Sequence, residues 1–223
     1  LEDLTITGTI SGAGGFTKAG AGRMVIDPLA VGGNTYDGVT TITAGRLNIR
    51  HANALGSTVG GTVITGGALQ LQGGITVVDE ALSMTGTGLF NTGAVRNFSD
   101  NNEWTGTVTL TGNVNIGVEA GTKLTFSGAI MQNNITARTL TKVLGGTLVF
   151  SGTTDNTYNG TTTVNEGTLR LNKTGAIAIA GALTVGNNAG GNNADVVIFD
   201  QSNQIGGTGV VTATTSGLPD LNN

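Results

Sequence analysis

Short segments in which apolar and polar residues alternate recur along the whole chain, and this recurrence restricts the fold more than any other feature. Leu4-Thr5-Ile6-Thr7, Arg23-Met24-Val25-Ile26, Arg46-Leu47-Asn48-Ile49, Ala68-Leu69-Gln70-Leu71, Lys123-Leu124-Thr125-Phe126, Thr147-Leu148-Val149-Phe150 and Thr168-Leu169-Arg170-Leu171 are examples. Each turns its apolar residues to one side and Thr, Asn, Gln or charge to the other, the period-two pattern of a half-buried strand. Glycine stands just ahead of most of them, where it admits the positive φ of a tight corner without steric cost.

The spacing separates two all-β solutions. The first buried residues of successive segments, Met24, Leu47 and Leu69, then Leu124, Leu148 and Leu169, lie 23, 22, 24 and 21 residues apart. A sandwich has irregular loops, whereas a solenoid repeats at a fixed pitch. A coil of this length holds three short strands and three corners, and coils stack at about 4.8 Å. The fold expected is all-β, a parallel β-helix of roughly ten coils and about 50 Å long at that spacing.

Composition agrees. Charged residues are 11% of the chain and glycines number 39 of 223, against roughly 25% charge in an average domain. An apolar fraction of 38% with a net charge of −4 provides for a packed core and argues against disorder. With aromatics at 4%, that core must come from Val, Ile and Leu. There is no cysteine, hence neither a disulfide framework nor a thiolate metal site. No run of about 18 apolar residues occurs, and residues 1–10 lack the features of a signal peptide, so the chain reads as a soluble excised piece without direct membrane insertion. Ten Lys and Arg, singly dispersed, give no footprint for nucleic acid.

A longer repeat overlies the coil pitch. Phe16-Thr17-Lys18 followed by Gly22-Arg23-Met24-Val25-Ile26 matches Leu140-Thr141-Lys142 followed by Gly146-Thr147-Leu148-Val149-Phe150, at an offset of 124. Asn34-Thr35-Tyr36-Asp37-Gly38 matches Asn156-Thr157-Tyr158-Asn159-Gly160 at an offset of 122, so the first copy carries two extra residues in a loop between Asp27 and Gly33. A degenerate copy near 102–126 begins Asn102-Glu103-Trp104. This pattern resembles the autotransporter passenger-associated strand repeat. The good matches are 16–49 and 140–171, within repeat copies spanning 16–56 and 140–180. The resemblance implies a single-stranded right-handed parallel β-helix, here one solenoid over 1–223, from the exported part of a Gram-negative surface protein. It implies no activity, since such passengers include adhesins, enzymes and spacers.

Stacked coils cover one another's apolar surface, each buried aliphatic contributing about 1.5–3 kcal/mol. Cut ends expose strand edges, so residues 1–10 or the segment after Gly206 are expected to cap the core partly, and 216–223 to form a frayed tail. Asn34, Asn102 and Asn156 suit corners where the side chain bonds backbone. Tyr36, Tyr158 and Trp104 are expected to close corners against neighbouring coils, and Lys18 and Lys142 to lie as solvated stems over apolar surface.

Reactive constellations are scarce. His51 is the only histidine, so neither a two-histidine metal site nor a Ser-His-Asp relay can be assembled. Asp79 and Glu80 are neighbours and face opposite sides of a strand, which reads as a solvated turn. The remaining carboxylates are dispersed, unlike the calcium-holding cluster of a polysaccharide lyase β-helix, and Thr-rich runs such as Thr161-Thr162-Thr163 are ordinary solvent-side strand residues before they are an ice-binding ladder. No catalytic, metal or cofactor-binding residue is assigned.

One segment, 90–104, interrupts the pitch, and loops leaving a rigid scaffold commonly carry recognition. Arg96, Phe98, Asp100, Glu103 and Trp104 are its candidate recognition residues; 187–193 reads as a flexible Gly/Asn turn. The expected function is an extracellular, non-catalytic stalk or adhesin segment held to the cell surface through a larger parent chain. Host or surface glycans, proteins, or further copies of itself are its candidate partners. A carbohydrate-active β-helix is the alternative, and an ice-binding solenoid a weaker one.

Overall fold

In the computed structural model, which describes residues 3–207 and 209–221, the chain winds as a parallel β-solenoid of about ten turns. No α-helix occurs among the described residues; one 3-10 turn spans Leu89–Asn91. Three faces run up the coil. The second is the clearest, with ten strands in unbroken parallel succession: Leu4–Ile6, Arg23–Ile26, Arg46–Ile49, Ala68–Leu71, Val95–Asn97, the end of Val108–Val118, Leu140–Val143, Thr162–Val164, Leu183–Val185 and Val211–Ala213.

Register makes the core a set of columns. On the second face Leu47, Leu69, Val95, Ile116, Lys142, Val164 and Val185 are successive partners. On the third, Val77, Trp104, Phe126, Phe150, Leu171 and Phe199 form a column that carries most of the bulky side chains. On the first, Ile42, Ile64, Met84 and Leu110 do the same with aliphatics. All of these but Phe199, which is partly buried and packs against the core, are buried.

The two good repeat copies do not sit on the same faces. Phe16–Lys18 heads the first-face column, pairing with Thr40–Ile42, while Leu140–Val143 pairs with Val114 to Gly117 on the second. Counting faces from one to the other gives sixteen, which is five turns and one further face. The strand Val108–Val118 makes the link: its first part pairs on the first face and its last part on the second, and it rounds the corner at Gly112. A Cβ on Gly112 would lie 2.1 Å from Thr85 Oγ1, so a larger residue at this corner would require the Thr85 side chain to turn away.

Coils longer than the basic pitch carry their extra residues at corners. The interruption near residue 90 is the turn Leu89–Asn91 and its flanks, in which Phe90 (φ 55°) and Asn91 (φ 61°) are left-handed. The residues that follow it rejoin the stack, as Val95–Asn97 on the second face and Asn101–Trp104 on the third. They look irregular in sequence because Asn97 and Asn102 fill inward positions.

The ends differ from expectation. Leu4–Ile6 and Val211–Ala213 are terminal rungs with Leu4 and Val211 exposed, and neither folds across the core as a cap. Of the tail expected to fray, Gly217–Asp220 forms a strand paired with Asp195–Phe199, because that strand's open edge offers unpaired backbone groups; residues 222 and 223 lie outside the described residues. Pro219 is accommodated because the strand is an outer one, where a missing N–H costs little.

Candidate functional site

Polar residues in the interior are bound to the backbone of neighbouring coils. Asn34 Oδ1 accepts from Ile10 N (2.9 Å) and its Nδ2 donates to Ala54 O (2.7 Å). Asn156 repeats this with Ile130 N and Ala178 O, both at 2.8 Å, and Asn102 accepts from Ile75 N at 2.8 Å. Each side chain ties its coil to its neighbours. Tyr36 and Tyr158 are wholly interior and each shares a hydrogen bond with a threonine four residues on.

Lys18 and Lys142 are not solvated stems. Both are buried at the corner that follows their strand. Lys18 Nζ donates to the carbonyls of Ala19 (2.9 Å), Gly20 (2.8 Å) and Ala44 (3.1 Å). Lys142 does the same to Val143 (3.2 Å), Leu144 and Glu166 (2.8 Å). A corner turns several carbonyls inward, and an ammonium with three donors satisfies them at once. Lys173, also buried, donates to Ser151 O at 2.8 Å. Glu80 departs from expectation too: it is buried, with Thr62 Oγ1 donating to Oε1 (2.8 Å), while its neighbour Asp79 is exposed.

These buried charges set a pH dependence. Burial pulls Lys142 and Lys173 down from 10.5 to about 8, and pushes Glu80 up from 4.5 to about 7. Between pH 4.5 and 7 the folded state holds a proton at Glu80 that the unfolded chain has lost, so stability falls as pH rises. Between 8 and 10.5 the unfolded chain holds the lysine protons that the folded state has lost, so stability rises. The urea midpoint is expected to pass through a minimum near pH 7–8, with Glu80→Gln flattening the acid limb and Lys142→Met part of the alkaline limb. Unchanged limbs in these variants would contradict the assignment.

The recognition candidates do not form one loop. Trp104 is a core residue, 0% exposed, whose Nε1 donates to Glu80 O (2.8 Å). Glu103 points outward on the third face and accepts from Ser127 Oγ (2.7 Å). Asp100 is at a corner, left-handed at φ 63°, its carboxylate accepting from Gly73 N (3.1 Å) and Ser99 Oγ (2.6 Å). Arg96 and Phe98 do come together, on the outer surface of the second face. Among the described residues there is no group of three or more His, Asp or Glu placed to hold a metal ion, and no helix is long and apolar enough to cross a membrane.

Arg96 and Phe98 belong to a larger polar surface. The strands place Arg23, Arg46 and Arg50 on the same outer face, with Val25, Asn48, Gln70 and Arg96 aligned as a central column. The Phe98 ring lies between two guanidinium groups, 5.4 Å from Arg96 and 5.8 Å from Arg23 three rungs away, so it crosses the rungs of Asn48 and Gln70. Ion pairs hold three of these arginines: Arg23 to Asp3, Arg50 to Asp27 at 4.0 Å, and Arg96 to Glu119, with Nε–Oε1 at 2.7 Å. A second surface feature, an open hollow of about 790 Å³ on the third face, is lined by Lys123, Thr125, Thr147, Val149, Arg170 and Asn172 among others.

Comparison with known proteins follows the repeats. The model of the passenger-associated-transport-repeat matches residues 16–49 and 140–171. Over 182 residues, 82% of this chain, the sequence is 33% identical to the adhesin BmaC autotransporter of Brucella suis biovar 1 (strain 1330). The chain spans 4% of that relative's length. No solved structure matches it. Both repeat copies are wound into one solenoid and the likeness runs through most of the coils, so the chain carries the autotransporter passenger-associated-transport-repeat.

Proposed function

We propose that this segment is an extracellular, non-catalytic length of an autotransporter adhesin, a stiff stalk that also bears an adhesive surface and is held to the cell through a larger parent chain. The observation that carries the reading is the unbroken ten-strand ladder on the second face, which spends nearly every inward position on packing. Likeness to an adhesin over most of the coils supports it. The adhesive element sits on the outer faces, with the Arg96–Phe98 surface as its leading candidate, and its partners are surface glycans or proteins of other cells, or further copies of the chain.

The test has two arms. Purified chain immobilised on beads is expected to retain host cells above beads bearing an unrelated β-solenoid, and retention no better than that control would leave only a spacer. Incubated with polyuronates and calcium, the chain is expected to release no unsaturated product; absorbance from such a product would overturn the non-catalytic reading.

A further inference from the structure

The outer surface of the second face holds groups that the fold leaves unsatisfied. Side chains alternate along a strand, so with Leu47, Ile49, Leu69 and Leu71 in the core, Asn48 and Gln70 point outward. Yet Asn48 is 0% and Gln70 1% exposed. Arg50 Nε donates to Asn48 Oδ1 (3.0 Å), and the Phe98 ring stands between Arg23, on the rung before that of Asn48, and Arg96, on the rung after that of Gln70.

On this surface, Asn48 Nδ2, Gln70 Oε1, Gln72 Oε1 and Arg46 Nε are buried without a hydrogen-bond partner. They are four of the six such atoms among the described residues, and they occupy adjacent rungs. An unsatisfied buried polar group costs about 1–3 kcal/mol, and native folds rarely leave one without a reason. Four together, facing outward rather than into the core, point to a partner from solution. Arg46 is also the one arginine of the patch with no carboxylate at ion-pair distance among the described residues, since Arg23, Arg50 and Arg96 each have one.

The free groups specify the ligand. Arg46 offers a charge-assisted donor that suits a carboxylate. One amide donor and two amide acceptors within neighbouring rungs suit hydroxyls, which donate and accept. The Phe98 face, already stacked between cations, suits the apolar face of a sugar ring. We propose that this patch binds a carboxylated sugar of a glycan, with Arg46 on the carboxylate, Asn48, Gln70 and Gln72 on hydroxyls, and Phe98 as a lid that turns out and then stacks on the ring. The proposal rests on the adhesin reading and names the ligand class of its surface.

The test uses the whole chain with methyl β-D-glucuronide, N-acetylneuraminic acid and, as the neutral control, methyl β-D-glucoside. Binding is followed by saturation transfer to the sugar and by the side-chain amide resonances of Asn48 and Gln70. The two acids are expected to bind in the millimolar range and shift those amides, with the glucoside at least tenfold weaker. Arg46→Gln is expected to weaken the acids tenfold or more while leaving the urea midpoint near that of the parent chain, and Phe98→Ala to weaken them several-fold. Arg170→Gln, on the third face, is expected to change nothing. Equal binding of acid and neutral sugars, no binding by either acid, or full affinity in Arg46→Gln would overturn the assignment. Cell retention by the beads with no binding of either acid would discard this site alone and leave the adhesin reading standing.

Discussion

Trp104→Ala is expected to lower the unfolding free energy by about 5 kcal/mol. The indole is wholly buried between Val77 and Phe126 in the third-face column. Removing a buried aromatic of this size costs about 3–5 kcal/mol in lost transfer energy and cavity. The same change strips Glu80 O of its 2.8 Å hydrogen bond inside the core, a further penalty of about 1–3 kcal/mol where the carbonyl stays buried. Trp104→Phe keeps most of the volume and is expected to lose about 1–2 kcal/mol, chiefly through that hydrogen bond. Urea unfolding checks both. A recognition tryptophan on a loop would instead leave the midpoint nearly unmoved, since surface substitutions stay within about 0.5 kcal/mol.

Gly106→Ala carries the second largest effect, and its cause is contact between coils. A Cβ at this position would lie 1.9 Å from Glu80 O and 2.5 Å from Glu80 C, both backbone atoms of the neighbouring coil. Neither can move aside as a side-chain tip could, so the two coils must separate locally and weaken the ladder bonds on either side. Overpacking of this kind costs on the order of 3 kcal/mol. Gly14→Ala is the matched control: a Cβ there meets nothing within 4 Å, and the midpoint is expected to stay within about 0.5 kcal/mol of the parent. Equal effects for the two variants would mean that coil spacing does not govern which glycines are required.

Much of this architecture could be read from the residues. Alternation located the strands, the 21–24 residue pitch gave the coil, and the recurrence of Asn34, Asn102 and Asn156 marked corners whose side chains now prove to bridge coils. What escaped the sequence has physical reasons. The turn of the second repeat copy onto another face depends on counting faces through loops of unequal length, and an offset of 124 residues does not reveal that it spans five turns and one face. Lys18 and Lys142 stood at one repeat position, which was the available signal, but nothing in a linear pattern shows an ammonium curling back onto corner carbonyls.

The segment 90–104 looks like a single excursion in sequence for a related reason. Polar residues at Asn97 and Asn102 broke the apolar alternation, so two strands read as an excursion and the core residue Trp104 read as part of its surface. Arg96 and Phe98 belong together on the outer face, but with Arg23, Arg46, Asn48 and Gln70, which are up to 75 residues earlier in the chain. Only winding brings such residues to one surface.

Cysteine pairs test the winding most directly, because the chain has no cysteine of its own. Parallel neighbours about 4.8 Å apart are within disulfide reach. Asn115 and Thr141 are register partners on the second face, whereas Thr109, on the first face, is the residue that a second repeat in phase with the first would bring to Thr141. The account predicts that Asn115→Cys with Thr141→Cys oxidises readily to an intramolecular disulfide and that Thr109→Cys with Thr141→Cys stays reduced. The reverse outcome, or failure of both pairs, would contradict a continuous parallel solenoid with its second repeat turned by one face.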